Sequence, residues 1–402
     1  MRAFVVALIA ALTLVSTAGA RLPPLPRGWP ATMQLGLSDS LGGAKALRAS
    51  APFGLRYQYL AGGLNTGSGW ATWNPHGSFV RQYVAESRAA HVIPVFTYYM
   101  LLQSHPGGGD DAQADIANLR NADTMSAYWA DLTLFFQRAR GPGPVVLHFE
   151  PDLWGYIEQA ARADDASTVQ AVVPEGLPQN VSGLAQEVVR LRDRLAPNVI
   201  LAWHMSGWGT KHDIVYEDPP DKTVIAYAAR SAIFYRSLKA HFDVSFEDFS
   251  DRDAGFYEQI QGNPNTWFTP ADFQRHLLYG KTFVRLAGIR MAVWQIPLGN
   301  TLMRALDESW GHYQDNRVQW LLLGSAGRAH LRAYADAGYV GFLFGAGAAG
   351  TTCACDARGD GVTNPAPVGG NTRPSLSADD DGGLFKSLAR AYYRAGPLRL
   401  SR

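Results

Sequence analysis

Charge is scarce in this chain. Only 18% of its 402 residues are Asp, Glu, Lys or Arg, and 36 basic groups nearly cancel 35 acidic ones, for a formal charge of +1. That balance supplies no pull on polyanions, so nucleic acid is not an expected partner. Cysteine is scarcer still. The two present, Cys353 and Cys355, are one alanine apart, which leaves at most one local disulfide; that pairing is favoured over free thiols or a bound metal. Beyond the N-terminus no apolar run approaches the ~18 residues that a membrane span needs. No Gly-x-Ser-x-Gly elbow and no phosphate-binding loop occurs, so serine-hydrolase and nucleotide chemistry fall away. The glycines at 36–43 lack the spacing of a dinucleotide-binding turn, which counts against an open doubly wound sheet.

What is present is an apolar, aromatic-rich chain: 47% hydrophobic residues, with 18 Phe, 17 Tyr and 11 Trp. Disorder is excluded for most of it. Residues 1–20 carry one cation (Arg2), an apolar run and a small-residue stretch ending at Ala20, the pattern of a secretory signal peptide. Residues 21–31 form a stiff Pro-rich lead-in. Residues 32–402 are expected to be one domain, secreted and monomeric.

Eight short apolar segments recur, at 33–38, 55–60, 92–98, 145–150, 199–204, 244–248, 289–295 and 340–344. Between them, stretches such as 79–90, 125–139, 184–195, 273–286, 316–337 and 383–395 carry apolar residues near a 3.6 period. Strand alternating with helix eight times predicts a parallel sheet closed into a (β/α)8 barrel. Segments at 62–76, 101–123, 151–176 and 345–382 follow strands and are expected to be long loops on the face where such barrels place their chemistry.

The clearest chemical signal is Val145-Val146-Leu147-His148-Phe149-Glu150-Pro151-Asp152. Alternation puts His148 and Glu150 inside the barrel if Val145, Leu147 and Phe149 face the helices. Glu150 would then stand at the rim, where an unpaired carboxylate is costly unless it is used. The 244–248 segment supplies Glu247 and Asp248; if Val244 and Phe246 face the helices, parity favours Glu247 and position favours Asp248. Asp39, at the end of the first segment, is a third candidate. Candidate ligand-binding groups at strand ends and in the loops beyond them are Arg56, Gln58, Tyr59, Trp70, Trp73, Tyr98, Tyr99, Asp152, Trp154, His204, Trp208, Trp294 and Gln295. Trp and Tyr offer flat faces to sugar C–H groups, and polar side chains bond the hydroxyls.

With a fourth-strand Glu, aromatic strand ends and an export signal, the chain resembles secreted glycoside hydrolases built on (β/α)8 barrels. The Glu150-Pro151-Asp152 tripeptide also resembles the strand-end motif of inverting cellulases with a distorted barrel. The resemblance implies a carbohydrate substrate, with Glu150 as proton donor. The retaining members carry their nucleophile at the end of the seventh strand, where this chain has Gln295. The second carboxylate is therefore sought in Glu247, Asp248 or Asp39. Two other readings stay open. In one, His148, Glu150 and His204 with Glu247 or Asp248 hold a divalent metal that activates water; in the other, the barrel binds glycan without cleaving it. Residues 356–361 lack the ligand spacing and closing Glu of a calcium loop, and no cofactor is expected.

Overall fold

A computed structural model of the chain describes residues 21–250, 252–301, 314–345 and 384–401. The leader, both cysteines and the segment that follows the eighth strand lie outside the described residues.

Eight parallel strands close into a barrel in sequence order: β1 (Gln34–Ser38), β2 (Leu55–Leu60), β3 (Ile93–Tyr98), β4 (Val145–Phe149), β5 (Val199–His204), β6 (Val244–Asp248), β7 (Met291–Ile296) and β8 (Tyr339–Phe344). The fold is the (β/α)8 barrel that the alternating pattern predicts. Helices α1 (Ala44–Ser50), α2 (Phe79–Ala89), α3 (Asp111–Arg120), α4 (Ala122–Ala139), α5 (Pro151–Ala160), α6 (Val181–Leu195), α7 (Asp221–Ser237), α8 (Ala254–Gln261), α9 (Pro270–Phe283), α10 (Arg317–Leu322), α11 (Gly324–Ala337) and α12 (Leu384–Arg394) complete the described elements. Two expected loops contain helices. The 101–123 stretch holds α3, started by the Asp110 carboxylate, which accepts from the backbone N–H of Gln113. The 151–176 stretch opens directly into α5, with Pro151 in the first turn, where its missing N–H costs nothing. The expected helix over 316–337 is two, because Leu323 is extended and Gly324 has a φ of +62°.

Alternation holds on β4 but is the reverse of the expected one on β6. The Phe246 ring lies 4.7 Å from the His148 ring inside the barrel, so Glu247 points outwards and Asp248 inwards. The upper barrel is filled by rings: Tyr57, Tyr59, His148 and His204 all pack on Trp294. At the opposite end, Arg290 donates to the carbonyls of Pro23 and Ser401 at 2.5 and 2.6 Å. Trp29 is buried there and donates to the Val340 carbonyl. The Pro-rich lead-in is thus packed as part of the floor.

Candidate active site at the strand C-terminal ends

A cavity of about 670 Å³ opens at the C-terminal ends of the strands. Asp248, the last residue of β6, faces it from inside the barrel wall with its side chain 22% exposed. Burial pushes this carboxyl up, but the hydrogen bond from His204, helped by smaller influences that include a backbone hydrogen bond and His276, outweighs burial and holds it below the usual 3.8. His204 Nε2 lies 3.5 Å from Asp248 Oδ1. On its other side, His204 Nδ1 lies 3.0 Å from His148 Nε2, and His148 Nδ1 lies 3.4 Å from the Thr97 hydroxyl. Burial, and then the neighbouring His204, push His148 well below the usual histidine range, so it stays neutral.

Glu247 touches the cavity but spends its carboxyl elsewhere. The Tyr339 hydroxyl donates to Oε1, and His276 Nε2 stands 3.3 Å from the same oxygen. Burial pushes Glu247 well above the usual carboxylate range, and the charge of Asp248 adds to the shift. His276 is pushed down to about 3 by burial against the opposing charge of Asp248.

Across the cavity, Asp152 sits in the first turn of α5, where the helix dipole favours a carboxylate. The Tyr99 hydroxyl donates to Asp152 Oδ2 at 2.8 Å. Behind it lies Asp115 of α3, 1% exposed, with no hydrogen-bond partner for either oxygen. Burial, then the charges of Asp152 and Asp111, push Asp115 well up. A third carboxylate, Asp213, accepts from the backbone N–H groups of Val215 and Tyr216 at 2.8 and 2.9 Å. Burial raises it and those two N–H groups lower it, with the nearby charge of Asp248 adding to the rise.

Of the residues proposed from sequence, Tyr59, Tyr99, Asp152, Trp208, Glu247, Asp248, Trp294 and Gln295 line the cavity. Trp294 and Gln295 both reach it although they are neighbours on one strand. The register of β7 shifts between Val293 and Ile296, and Gln295 has a φ of +57°, which breaks the alternation.

Glu150 is not among the lining residues. Its φ of +43° takes it out of the strand alternation. The side chain, 1% exposed, accepts from the backbone N–H groups of Met100 and Leu101, with the Leu101 bond at 3.1 Å. Burial, then the charge of Asp115, keep it well above the usual range against these bonds. Asp39 is also withdrawn. It pairs at 2.7 Å with Arg56, which reaches Glu86 at 3.0 Å and lies over the Tyr83 ring. Burial carries Asp39 to about 7 despite the Arg56 charge. Asp39 and Arg56 therefore form a structural ion pair between barrel and helix.

Five other candidates fail to reach the cavity for visible reasons. Trp70 is fully buried and donates to Asp131, as does the Tyr98 hydroxyl. Trp73 is 42% exposed but packs edge-on against Phe79, outside the cleft. Trp154 lies in the core on Trp203 and donates to the Phe149 carbonyl. Gln58 accepts from the backbone N–H of Tyr59.

The sequence reading missed Asp213, Tyr216 and Tyr156 in the lining. Tyr216 is 39% exposed, and Tyr156 packs on Trp208 with centroids 5.0 Å apart. Asp213 and Tyr216 lie in the connection after β5, well beyond the strand end. Among the described residues, no group of three or more His, Cys, Asp or Glu side chains is placed to hold a metal ion. The set expected to do so does not converge, because Glu150 turns away. No helix among the described residues is long and apolar enough to cross a membrane.

No protein-family model matches the chain, and no curated protein matches it. Among solved structures it is similar to a modular endo-β-1,4-mannanase from Cellulomonas fimi, at 13% identity and a TM-score of 0.49, over 80% of this chain and 67% of that one. It is similar to a xylanase from Paenibacillus barcinonensis, at 8% identity and a TM-score of 0.47, over 93% and 100% of the two chains. A β-mannanase from Bacteroides ovatus gives 14% identity and a TM-score of 0.45, over 90% of each chain. The likeness is one of barrel architecture.

Proposed function

We propose that the chain is a secreted glycoside hydrolase that cleaves a polysaccharide, with Asp248 as the ionised carboxylate and Asp152 as the proton donor. The observation that carries this reading is Asp248, held ionised by His204 at the wall of an open, aromatic-lined cleft that also contains Asp152. Glycoside cleavage needs one carboxylic acid to protonate the leaving oxygen and one carboxylate to activate water or attack carbon. Asp152 takes the place first sought in Glu150 because it lines the cleft and Glu150 does not. Tyr59, Trp208 and Tyr216 provide the flat faces on which sugar rings stack.

The test is reducing-end release from a panel of polysaccharides. Cleavage by the native chain that is lost in Asp248→Asn supports the reading. Full cleavage by that variant removes Asp248 from the chemistry. Glycan affinity without cleavage by the native chain makes the barrel a binding protein.

A further inference from the structure

Two buried imidazoles stand in line behind Asp248, and the reaction itself requires neither. His148 is fully buried on β4 at the centre of the barrel, and His204 on β5 is 2% exposed. The contacts run without a branch: Thr97 hydroxyl to His148 Nδ1, His148 Nε2 to His204 Nδ1, and His204 Nε2 to Asp248 Oδ1. Each neutral imidazole carries one N–H and one acceptor nitrogen. An ionised Asp248 can only accept, so His204 must carry its proton on Nε2. Its Nδ1 then accepts, which puts the proton of His148 on Nε2. His148 Nδ1 in turn accepts from the Thr97 O–H. With both imidazoles neutral, this is the one arrangement of protons that satisfies every group in the row.

We propose that His148, backed by Thr97, is a positioning residue that locks His204 in its Nε2–H tautomer and aims that proton at Asp248. This inference rests on the reading of Asp248 as the reactive carboxylate. The ring packing supports it: His148, His204, Phe246 and Trp294 pack on one another with centroids 4.7–5.9 Å apart, which leaves the imidazoles little room to rotate. The charged and titratable groups around Asp248 are Asp213 after β5, Glu247 beside it and His276 on α9. Among the described residues the hydrogen-bond partner of His204 Nδ1 is His148 Nε2, so His148 is the group that sets its tautomer.

The test reads the histidine tautomers directly, by nitrogen-15 NMR of the full chain labelled at histidine, at neutral pH. The expected spectrum gives His204 a protonated Nε2 and an unprotonated Nδ1. His148→Leu should lose that single tautomer and lower kcat about 10- to 100-fold at little change in KM, a size taken from the loss of partners that orient metal-ligating imidazoles. His148→Gln, whose amide N–H can still donate to His204 Nδ1, should restore most of both. A native His204 protonated on Nδ1 would overturn the proposal, as would a His148→Leu variant with the native tautomer and rate. The spectrum does not depend on turnover, so a native chain that cleaves no glycan sinks the hydrolase reading and leaves the tautomer result to be judged alone.

Discussion

His204 Nε2 and Asp248 Oδ1 face each other across 3.5 Å at the barrel mouth, and this contact decides the charge of the cleft. Asp248 is buried enough that desolvation alone would raise it; the His204 bond, with smaller lowering influences beside it, reverses the sign. A base must be ionised to act, so the acid limb of kcat/KM should lie below the usual 3.8. His204→Leu removes the opposing influence and lets burial dominate, which should move the acid limb up. A pH profile of the two proteins checks this, and identical limbs would contradict it.

Asp152 and Glu150 separate the two assignments of the proton donor. Asp152→Asn should lower kcat about 10²- to 10⁴-fold on natural glycan, the range for a lost general acid. The loss should shrink on aryl glycosides whose leaving group needs no proton. Glu150→Gln keeps an acceptor near the Met100 and Leu101 N–H groups and should leave kcat within a few-fold while lowering Tm. Steady-state kinetics on both substrate types distinguishes these outcomes.

Glu158 is a buried carboxyl that the cleft does not use. Burial raises it to about 8, although the Ser231 hydroxyl donates to it. The folded state therefore binds this proton more tightly than the unfolded state does. Stability from this group is present below the usual 4.5 and is lost as pH rises towards 8. Glu158→Gln should flatten that loss, by an amount on the order of a few kcal/mol. Thermal melts from pH 5 to 9 should show the variant gaining over the native chain as pH rises; parallel curves would refute this.

The Asp39–Arg56–Glu86 network should behave as structure alone. Arg56→Met leaves a buried Asp39 without its cation, and breaking a buried pair in this way costs about 3–5 kcal/mol. Denaturant unfolding should report that loss, while kcat/KM of the folded fraction stays at the native level.

The barrel was legible because eight apolar segments recur between helical periods, and seven of the eight observed strands both start and end within a residue of those segments. β7 departs furthest: it starts two residues later and runs on to Ile296. What failed was facing. On β6 the expected parity was reversed, since Val244, Phe246 and Ser245 are all buried and hydrophobicity alone does not say which side is which. At Glu150 and Gln295 a left-handed residue ends the alternation, and neither is a glycine that would have announced it. Asp152 was recognised as a binding residue rather than a donor, because its role depends on Glu150 turning away. Asp213 and Tyr216 went unseen because the connection after β5 returns to the cleft only in three dimensions.

The central claim is that Asp248 is the reactive carboxylate of a glycan-cleaving cleft. The direct test compares native and Asp248→Asn protein on a polysaccharide the native chain cleaves, measuring reducing-end release and glycan affinity together. The account predicts a fall in kcat of at least about 10²-fold with affinity retained. An Asp248→Asn variant that binds and cleaves like the native protein would contradict it.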